Sequence, residues 1–315
     1  MFSNITSGVP QGSILGPLLF NAYLYDIRYC FHFSRHLMFA DDQKIFLRIK
    51  SIDNCNQIQQ DLNRLEIYYK QNKLSININK CNKITFSRKN KKIQYTYKID
   101  NTPIKQVKLV KDLGILLDEK MGLSQHIDDI TGKAYMQLGF VKRSCKTFNN
   151  IHCIKSLYFA YVRSVLEYAS VMWSPYYTKH KKAIENIQKK FVKFLSFKKY
   201  QCFDCYAHSC NYFNLESLES RRSQQDLLFL HGILNGRIDS PYLLSLIYFK
   251  IPSQYATRHS KLFHVPRTNS NYLHNSPMFR VLSNYDTYYE EFDIFHLTKE
   301  HVRKYLKGRE DSNFV

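Results

Sequence analysis

The sequence predicts an α+β fold for the first part of the chain and a helical fold for the rest. Segments rich in β-forming residues alternate with helical patterns up to about residue 118, and three further helical patterns follow from about residue 124. A chain of 315 residues with 44% hydrophobic residues can bury a substantial core, and it exceeds the usual size of one domain. We therefore expect three parts, at residues 1–120, 121–200 and 201–315.

The first elements are a glycine-rich turn at residues 8–16 and an apolar helix from Leu18 to about Tyr29, which we expect to be buried. A β-hairpin follows, then an amphipathic helix that Ser51 or Asp53 can cap. Strands are expected at about 82–87, 93–99, 104–110 and 113–118. Helices and short strands in this order indicate an α+β layer.

The hairpin is predicted around the adjacent carboxylates Asp41 and Asp42. β-Forming residues flank the pair at 36–40 and 45–49, and the polar residues between them suit a tight connection. Two adjacent carboxylates repel each other unless a cation lies nearby, and their hard oxygens suit Mg²⁺ or Mn²⁺ better than zinc. Taken alone, the pair is also typical of a solvated polar turn.

Three amphipathic helices are predicted after residue 124, with apolar stripes at 127–145, 154–168 and 184–194. Together they indicate a helical bundle. Their polar faces are basic, and the cations that we single out are Lys133, Lys142, Arg143 and Lys146. Such a face either contacts a nucleic-acid backbone or is an ordinary solvated surface.

The charge balance favours a polyanionic partner. The chain has 46 Lys and Arg against 26 Asp and Glu, a formal net charge of +20. Neutralisation of phosphates releases counterions and dominates the affinity of proteins for nucleic acid. The alternative is a compositional bias, because Lys, Asn, Ile and Tyr are all abundant, as an AT-rich coding sequence would produce.

The cysteines predict a reducing, intracellular location, nuclear or cytoplasmic. The eight cysteines are scattered without a disulfide framework. The uncharged stretch at 4–25 contains two prolines and follows no basic segment, so we predict neither a signal peptide nor a membrane helix. The spacing of Cys202, Cys205, His208 and Cys210 is too cramped for tetrahedral zinc, and we predict a loop there rather than a zinc site.

Four motifs resemble, in the same order, those of reverse transcriptases, in particular those of non-LTR (LINE-type, jockey-like) retrotransposons. Residues 8–20, GVPQGSILGPLLF, resemble motif B, and residues 39–42, FADD, resemble motif C. Asn79-Lys80 before a strand resembles motif D, and residues 113–118, LGILLD, resemble the primer grip of motif E. The resemblance continues at 163–169 and 218–222 and covers most of the chain. It implies a partial polymerase palm, a helical thumb-like domain and a helical or irregular C-terminal region for the three parts.

The resemblance also implies an RNA-directed DNA polymerase that uses two divalent metal ions, an RNA template, a DNA primer and deoxynucleoside triphosphates. It assigns Asp41 and Asp42 to the metal, with Asp41 as the principal ligand, and Lys80 to protonation of the leaving group. The expected nucleotide and template contacts are Gln11, Gly12, Phe39 and Ala40, and the expected primer grip is Leu113, Gly114 and Ile115. Lys133, Lys142, Arg143 and Lys146 would contact the backbone.

One part of the family's catalytic set has no counterpart here. The motif A strand, with a further metal-binding Asp, does not fit into residues 1–7, and the fingers and endonuclease module are missing as well. We therefore expect a truncated reverse transcriptase that is inactive alone: a degenerate copy, a mis-predicted gene model or one exon. The alternative is a non-catalytic nucleic-acid-binding protein that uses the basic helical face, and a third reading is a structural domain without such a partner. The sequence indicates no oligomeric state.

Overall fold

The structure is a computed structural model that describes residues 8–9, 12–251, 262–286, 293–295, 298 and 300–302. Helices predominate and the strands are short, which agrees with the α+β class. Two units separate after Gly122: unit 1 is Met1–Gly122 and unit 2 is Leu123–Val315. The three-part division and the palm and thumb assignments stay predictions.

Unit 1 alternates helices with short strands. Its helices are α1 (Gly16–Tyr23), a 3₁₀ helix (Tyr25–Cys30), α2 (Ile52–Gln71) and a 3₁₀ turn (Ile78–Lys80). Its strands are β1 (Arg35–Phe39), β2 (Asp42–Phe46), β3 (Asn82–Lys83), β4 (Lys98–Ile99), β5 (Thr102–Pro103), β6 (Lys105–Gln106), β7 (Leu109–Asp112) and β8 (Ile115–Asp118). They form separate two-stranded sheets: β1–β2, β4–β5 and β7–β8 are antiparallel, and β3–β6 is parallel.

Helix α2 supplies the core of unit 1. Ser51 caps its N-terminus, and the Asn54 side chain accepts the Ser51 backbone N–H. Its residues Leu65 and Tyr68 are buried in a cluster that includes Met38 and Ile45 of the hairpin. Because an isolated two-stranded sheet is marginally stable in water, the hairpin depends on this helix for its stability.

The predicted buried helix at 18–29 is wrong in two respects. The α-helix ends at Tyr23 and continues as a 3₁₀ helix, in which Ile27 and Cys30 are buried. None of the residues of α1 is buried, and Leu18 is 63% exposed. Phe20 packs against the cluster that contains Leu24 and Ile27, whereas Leu18 and Leu19 are exposed.

The predicted strands are longer than the observed ones. Leu113 and Gly114 form the turn of the β7–β8 hairpin, with φ of +43° and +88°, so the expected strand at 113–118 begins at Ile115. The polar residues Asp100-Asn101-Thr102-Pro103 predict a turn between two strands, and Asp100 and Asn101 both lie in the left-handed region between β4 and β5.

Unit 2 is helical, with a buried core. Its helices are α3 (Ser124–Ser144), α4 (Ile151–Leu157), a π-helix (Tyr158–Arg163), α5 (Ser164–Glu167), α6 (Ser170–Trp173), α7 (Thr178–Lys199), α8 (Tyr206–Tyr212), α9 (Leu218–Leu234), α10 (Pro241–Leu244), α11 (Asn271–His274) and α12 (Pro277–Asp286). The Tyr158 ring stacks on Phe191 of α7 at 3.9 Å between centroids, and both rings are fully buried. Leu227 and Leu230 of α9 are buried with Val281 of α12.

A charged pair joins the two stretches of unit 2 at which the sequence analysis predicted a continued resemblance to the family. The Arg221 guanidinium donates two hydrogen bonds to the Glu167 carboxylate, one of them of 2.9 Å from Nη2 to Oε2. Hydrogen bonds from Arg221 to a carboxylate in this partly buried setting are of the strong, charge-assisted kind. The stretches at 163–169 and 218–222 are therefore in direct contact.

Three expectations for the C-terminal part need correction or fall outside the structure. The loop expected around Cys205 contains α8, whose N-terminus the Cys205 sulfur caps by accepting the His208 N–H. The prolines, serines and asparagines at 250–297 predict irregular structure, but this region contains α11 and α12, because Val281, Leu282 and Tyr285 supply a buried face. From the sequence we also expect a short last helix near residues 298–306, and it lies mostly outside the described residues.

Candidate active site and basic surface

The β1–β2 hairpin presents Asp41 and Asp42 at its tip. Phe39 pairs with Asp42, so Ala40 and Asp41 form the two-residue connection. Ala40 has φ of +51°, a left-handed conformation that a residue with a β-carbon adopts only at some cost. Both carboxylates and the Phe39 ring are exposed. The hairpin is therefore as expected, while the roles of these residues stay predictions.

A buried carboxylate of α2 fixes the entry to this hairpin. Asp61 is fully buried and accepts the backbone N–H groups of His32, Phe33 and Ser34 at 2.8–3.2 Å. The Ser34 hydroxyl and the Arg64 guanidinium also donate to Asp61. Burial by itself raises the pKa of Asp61, but the hydrogen bonds from Ser34, His32 and Arg64 outweigh it and hold the pKa below its ordinary value. The ionised carboxylate thus fixes the backbone of the three residues that lead into β1.

Two contacts support β2, the second strand of the hairpin. The Tyr69 hydroxyl of α2 donates to Gln43 Oε1 at 2.9 Å. Lys44 Nζ lies 2.6 Å from Asp112 Oδ1, at the end of β7. Asp112 immediately precedes the Leu113-Gly114 turn, so this ion pair ties the expected primer-grip segment to the strand that carries Asp42. Leu113 is 40% exposed at that turn, and Ile115 begins β8 as a half-buried residue.

The remaining expected site residues of unit 1 are not joined to the hairpin tip by the described contacts. Lys80 is exposed at the end of a 3₁₀ turn. Gly12 has φ of +86° with open space around its α-carbon, a conformation that favours glycine. Gln11 lies outside the described residues.

The donor chemistry of the hairpin tip fits Mg²⁺ or Mn²⁺ in part. Asp41 and Asp42 offer hard oxygens, and magnesium sites typically combine one or two carboxylates with water and substrate phosphates. In the described part of the chain, no three His, Cys, Asp or Glu side chains are grouped to hold a metal ion. Cys210, a member of the cramped cysteine group, is buried.

The four expected backbone contacts of α3 and the loop after it divide into two kinds. Lys133 forms an ion pair with Asp129 one turn away, and Lys142 is half-buried with its Nζ 5.7 Å from the centre of the Phe194 ring. Burial lowers the pKa of Lys142, and the charge of Lys190 lowers it further. Arg143 and Lys146 are exposed. The second pair is the better placed for phosphates.

The basic face predicted for the third helix is present as an exposed stripe on α7, but the sequence analysis missed its aromatic end. Its lysines recur at helical spacing and point away from the core: Lys179, Lys182, Lys189, Lys190 and Lys193. Phe197 continues this stripe and is 74% exposed, and Tyr200 after the helix is 92% exposed. The signal that could have revealed the aromatic end is in the sequence: after the lysines, the next position at helical spacing is the aromatic residue Phe197.

Among the described residues, no helix is both long enough and apolar enough to cross a membrane.

Residues 2–117 match the family of reverse transcriptases (RNA-dependent DNA polymerases). The family that this segment matches is the one that the order of the four motifs indicated.

Two curated relatives come from non-LTR elements of Drosophila melanogaster. The chain is 28% identical over 194 residues to the probable RNA-directed DNA polymerase from transposon X-element, an alignment that covers 59% of this chain and 21% of the relative. It is also 28% identical over 140 residues to the RNA-directed DNA polymerase from mobile element jockey, which covers 40% of this chain and 14% of the relative. The chain thus spans about a fifth or less of the length of these relatives. No solved structure matches it significantly.

Proposed function

We propose that residues 2–117 are part of the palm of an RNA-directed DNA polymerase and that the tip of the β1–β2 hairpin forms one wall of its nucleotide site. The observation that carries this proposal is the pair Asp41-Asp42, exposed at the tip of a hairpin whose entry is fixed by the buried Asp61. A rigidly supported pair of carboxylates is what a two-metal phosphoryl-transfer site requires of such an element.

The two carboxylates would hold Mg²⁺ or Mn²⁺, with Asp41 as the principal ligand. The bound ions would activate the 3′-hydroxyl of the primer and stabilise the leaving pyrophosphate. Phe39, exposed next to the tip, would pack against the end of the primer, and the Leu113-Gly114-Ile115 turn, tied to the hairpin through Asp112, would hold the primer strand. Template and nucleotide contacts fall to Ala40, Gln11 and Gly12, and Lys80 would act as the acid.

Among the described residues, the hairpin tip supplies one wall of that site. Asp41 and Asp42 are consecutive residues of one turn, whereas two metal ions about 3.5–4 Å apart need ligands that clamp them from more than one element. We therefore propose that the chain by itself does not extend a primer and that a further carboxylate must come from another polypeptide segment. The relatives, which are several times longer than the matched segments, contain ample sequence for such a segment.

Unit 2 supports a second role, the binding of nucleic acid without catalysis. Arg143, Lys146 and the lysine stripe of α7 are exposed, and the whole chain carries a net charge of +20. Positive groups that are free in solvent release counterions from phosphates when nucleic acid binds, and this release favours association in low salt.

The test is a salt titration of binding to a single strand and to the corresponding duplex. If seven phosphates are neutralised, log K falls against log salt with a slope of about −6 on the duplex and about −5 on the single strand. An affinity that stays flat over the same salt range would mean that the charge is only compositional and would remove this function.

A further inference from the structure

One end of unit 2 brings two exposed segments together. The Nζ of Lys198, near the end of α7, donates a hydrogen bond of 2.6 Å to the backbone carbonyl of Lys146, in the loop between α3 and α4. Phe148 in that loop is 49% exposed, and Phe197 and Tyr200 at the end of α7 are more exposed still. We call this surface the aromatic-basic end; it comprises Arg143, Lys146, Phe148, Phe197, Lys199 and Tyr200.

The charge of the two segments has one sign. Residues 141–150 and 189–201 contain eight Lys and Arg and neither Asp nor Glu. Exposed aromatic rings, however, are not needed to bind phosphates, and a cluster of them on a soluble surface indicates a contact with some other group. The ligand that fits must therefore offer negative charge and flat apolar faces together.

Tyr200 gives an independent indication that the rings have a role. It occupies the position after the last turn of α7 with φ of +53°, and its N–H closes the helix on the Phe197 carbonyl. Glycine is the usual residue at such a position, and a bulky side chain there is uncommon because it brings conformational strain. The backbone projects the tyrosine ring beyond the helix end, where it is 92% exposed. Strain held by a residue without packing contacts points to function.

We propose that the aromatic-basic end binds single-stranded nucleic acid by stacking bases on Phe197 and Tyr200 while the neighbouring cations contact its phosphates. Unpaired bases expose both faces for stacking, whereas a duplex hides them inside the helix. This inference rests on the proposed nucleic-acid binding and specifies it: single strands gain a stacking contribution on this surface that duplexes do not.

The experiment measures fluorescence anisotropy of the full chain with a labelled, unstructured single strand of about 20 nucleotides, as DNA and as RNA, and with the matching duplex, at about 0.1 M salt. The variants are Phe197→Leu and Tyr200→Leu, singly and together, which remove the rings and keep apolar side chains. The matched control is Tyr242→Leu, because Tyr242 is 64% exposed on α10, outside both segments.

Each ring removed from the aromatic-basic end lowers single-strand affinity by about five- to a hundredfold, while duplex affinity changes less than about twofold. The control leaves both affinities unchanged. Tyr200→Gly separates binding from structure, since glycine relieves the positive φ: it raises the free energy of unfolding and still lowers single-strand affinity.

Several outcomes would overturn the inference. If the double variant binds single strands as the parent does, while the parent keeps its salt dependence, charge alone accounts for binding and only the stacking inference fails. The same holds if duplex affinity falls as much as single-strand affinity. If the variants change only the oligomeric state in sedimentation, the rings form a protein interface. If the parent binds neither form, the proposed nucleic-acid binding itself fails.

Discussion

Lys44 and Asp112 form an ion pair that joins the second strand of the β1–β2 hairpin to the end of β7. Each side chain is about one third exposed, so the pair contributes at most about 1 kcal/mol to stability. The pair matters for the position of its neighbours. Lys44 lies two residues after the carboxylate Asp42, and Asp112 lies directly before the turn at Leu113. Two segments separated by about 70 residues of sequence are thereby kept in one place, where a polymerase would need both.

Asp61→Asn should destabilise unit 1 by about 3 kcal/mol at neutral pH, since the amide cannot accept all of the bonds that converge on the buried carboxylate and leaves Arg64 without its charged partner. Chemical denaturation followed by circular dichroism measures the loss. Asp53→Asn, an exposed acid on the same helix, should cost less than about 1 kcal/mol. Equal effects of the two substitutions would contradict the role of Asp61.

The same residue sets a pH dependence. Because the pKa of Asp61 lies below its ordinary value of 3.8 in the folded chain, the folded state binds fewer protons than the unfolded state. Its contribution to stability is therefore complete above about pH 4 and is lost as the pH falls through the lowered pKa. The free energy of unfolding of the parent should decline over this acid range more steeply than that of Asp61→Asn, and parallel curves would count against this assignment.

Ala40→Gly should stabilise the hairpin, because glycine adopts the left-handed φ of +51° without steric cost. The expected gain in the free energy of unfolding is about 1 kcal/mol. It is the strain that glycine relieves, reduced by the greater conformational entropy of glycine in the unfolded chain. Ala40→Val should be destabilising, since a β-branched residue is poorly tolerated there. Ala183→Gly is the control. Ala183 lies in α7, where the backbone is helical, so glycine there should lower the free energy of unfolding by about 1 kcal/mol. A destabilised Ala40→Gly would show that Ala40 is not strained.

Arg143→Gln should weaken binding to duplex nucleic acid and reduce the steepness of its salt dependence by about 1, whereas Lys133→Gln should change both very little. Arg143 is exposed, while the charge of Lys133 is already compensated by Asp129. The measurement is the salt titration described above. Equal effects of the two substitutions would mean that the ion pair with Asp129 does not reduce the contribution of Lys133 to nucleic-acid binding.

Primer extension tests the catalytic proposal. With an RNA template and Mg²⁺ or Mn²⁺, the chain should give no product above background, because one turn cannot fix two ions. Joined to the preceding segment of the jockey relative, it should become active. Asp41→Asn should then abolish extension, since it removes a metal ligand at nearly constant size, and Lys80→Ala should slow it, because water replaces the acid poorly. Extension by the chain alone that Asp41→Asn abolishes would disprove the one-wall proposal.

The sequence could predict those features that a local pattern of residues displays. The β-forming residues on either side of the polar segment at Asp41 predicted the hairpin, and the three- and four-residue spacing of apolar side chains predicted helices that correspond to α2, α3 and α7. The four motifs predicted the family whose model matches residues 2–117.

Other features depend on partners that no local pattern displays. In the sequence, Asp61 looks like any solvent-facing acid on a helix. It is buried because its partners are backbone N–H groups about 30 residues away. Leu113 belongs to an apolar run typical of a strand, yet the adjacent Gly114 makes it part of a turn. Phe197 would pass for a core residue by its chemistry, and only the orientation of α7 shows that it faces solvent.

We expect helix α1 to make the behaviour of the purified chain depend on its concentration. Leu15, Leu18 and Leu19 lie on one side of it and are between 49% and 63% exposed. Apolar surfaces of this kind drive association, so the population of monomers depends on the amount of protein in the sample. Melting temperatures and binding constants should then change with protein concentration in the micromolar range. Dilution series, rather than single concentrations, are needed to obtain the properties of the monomer.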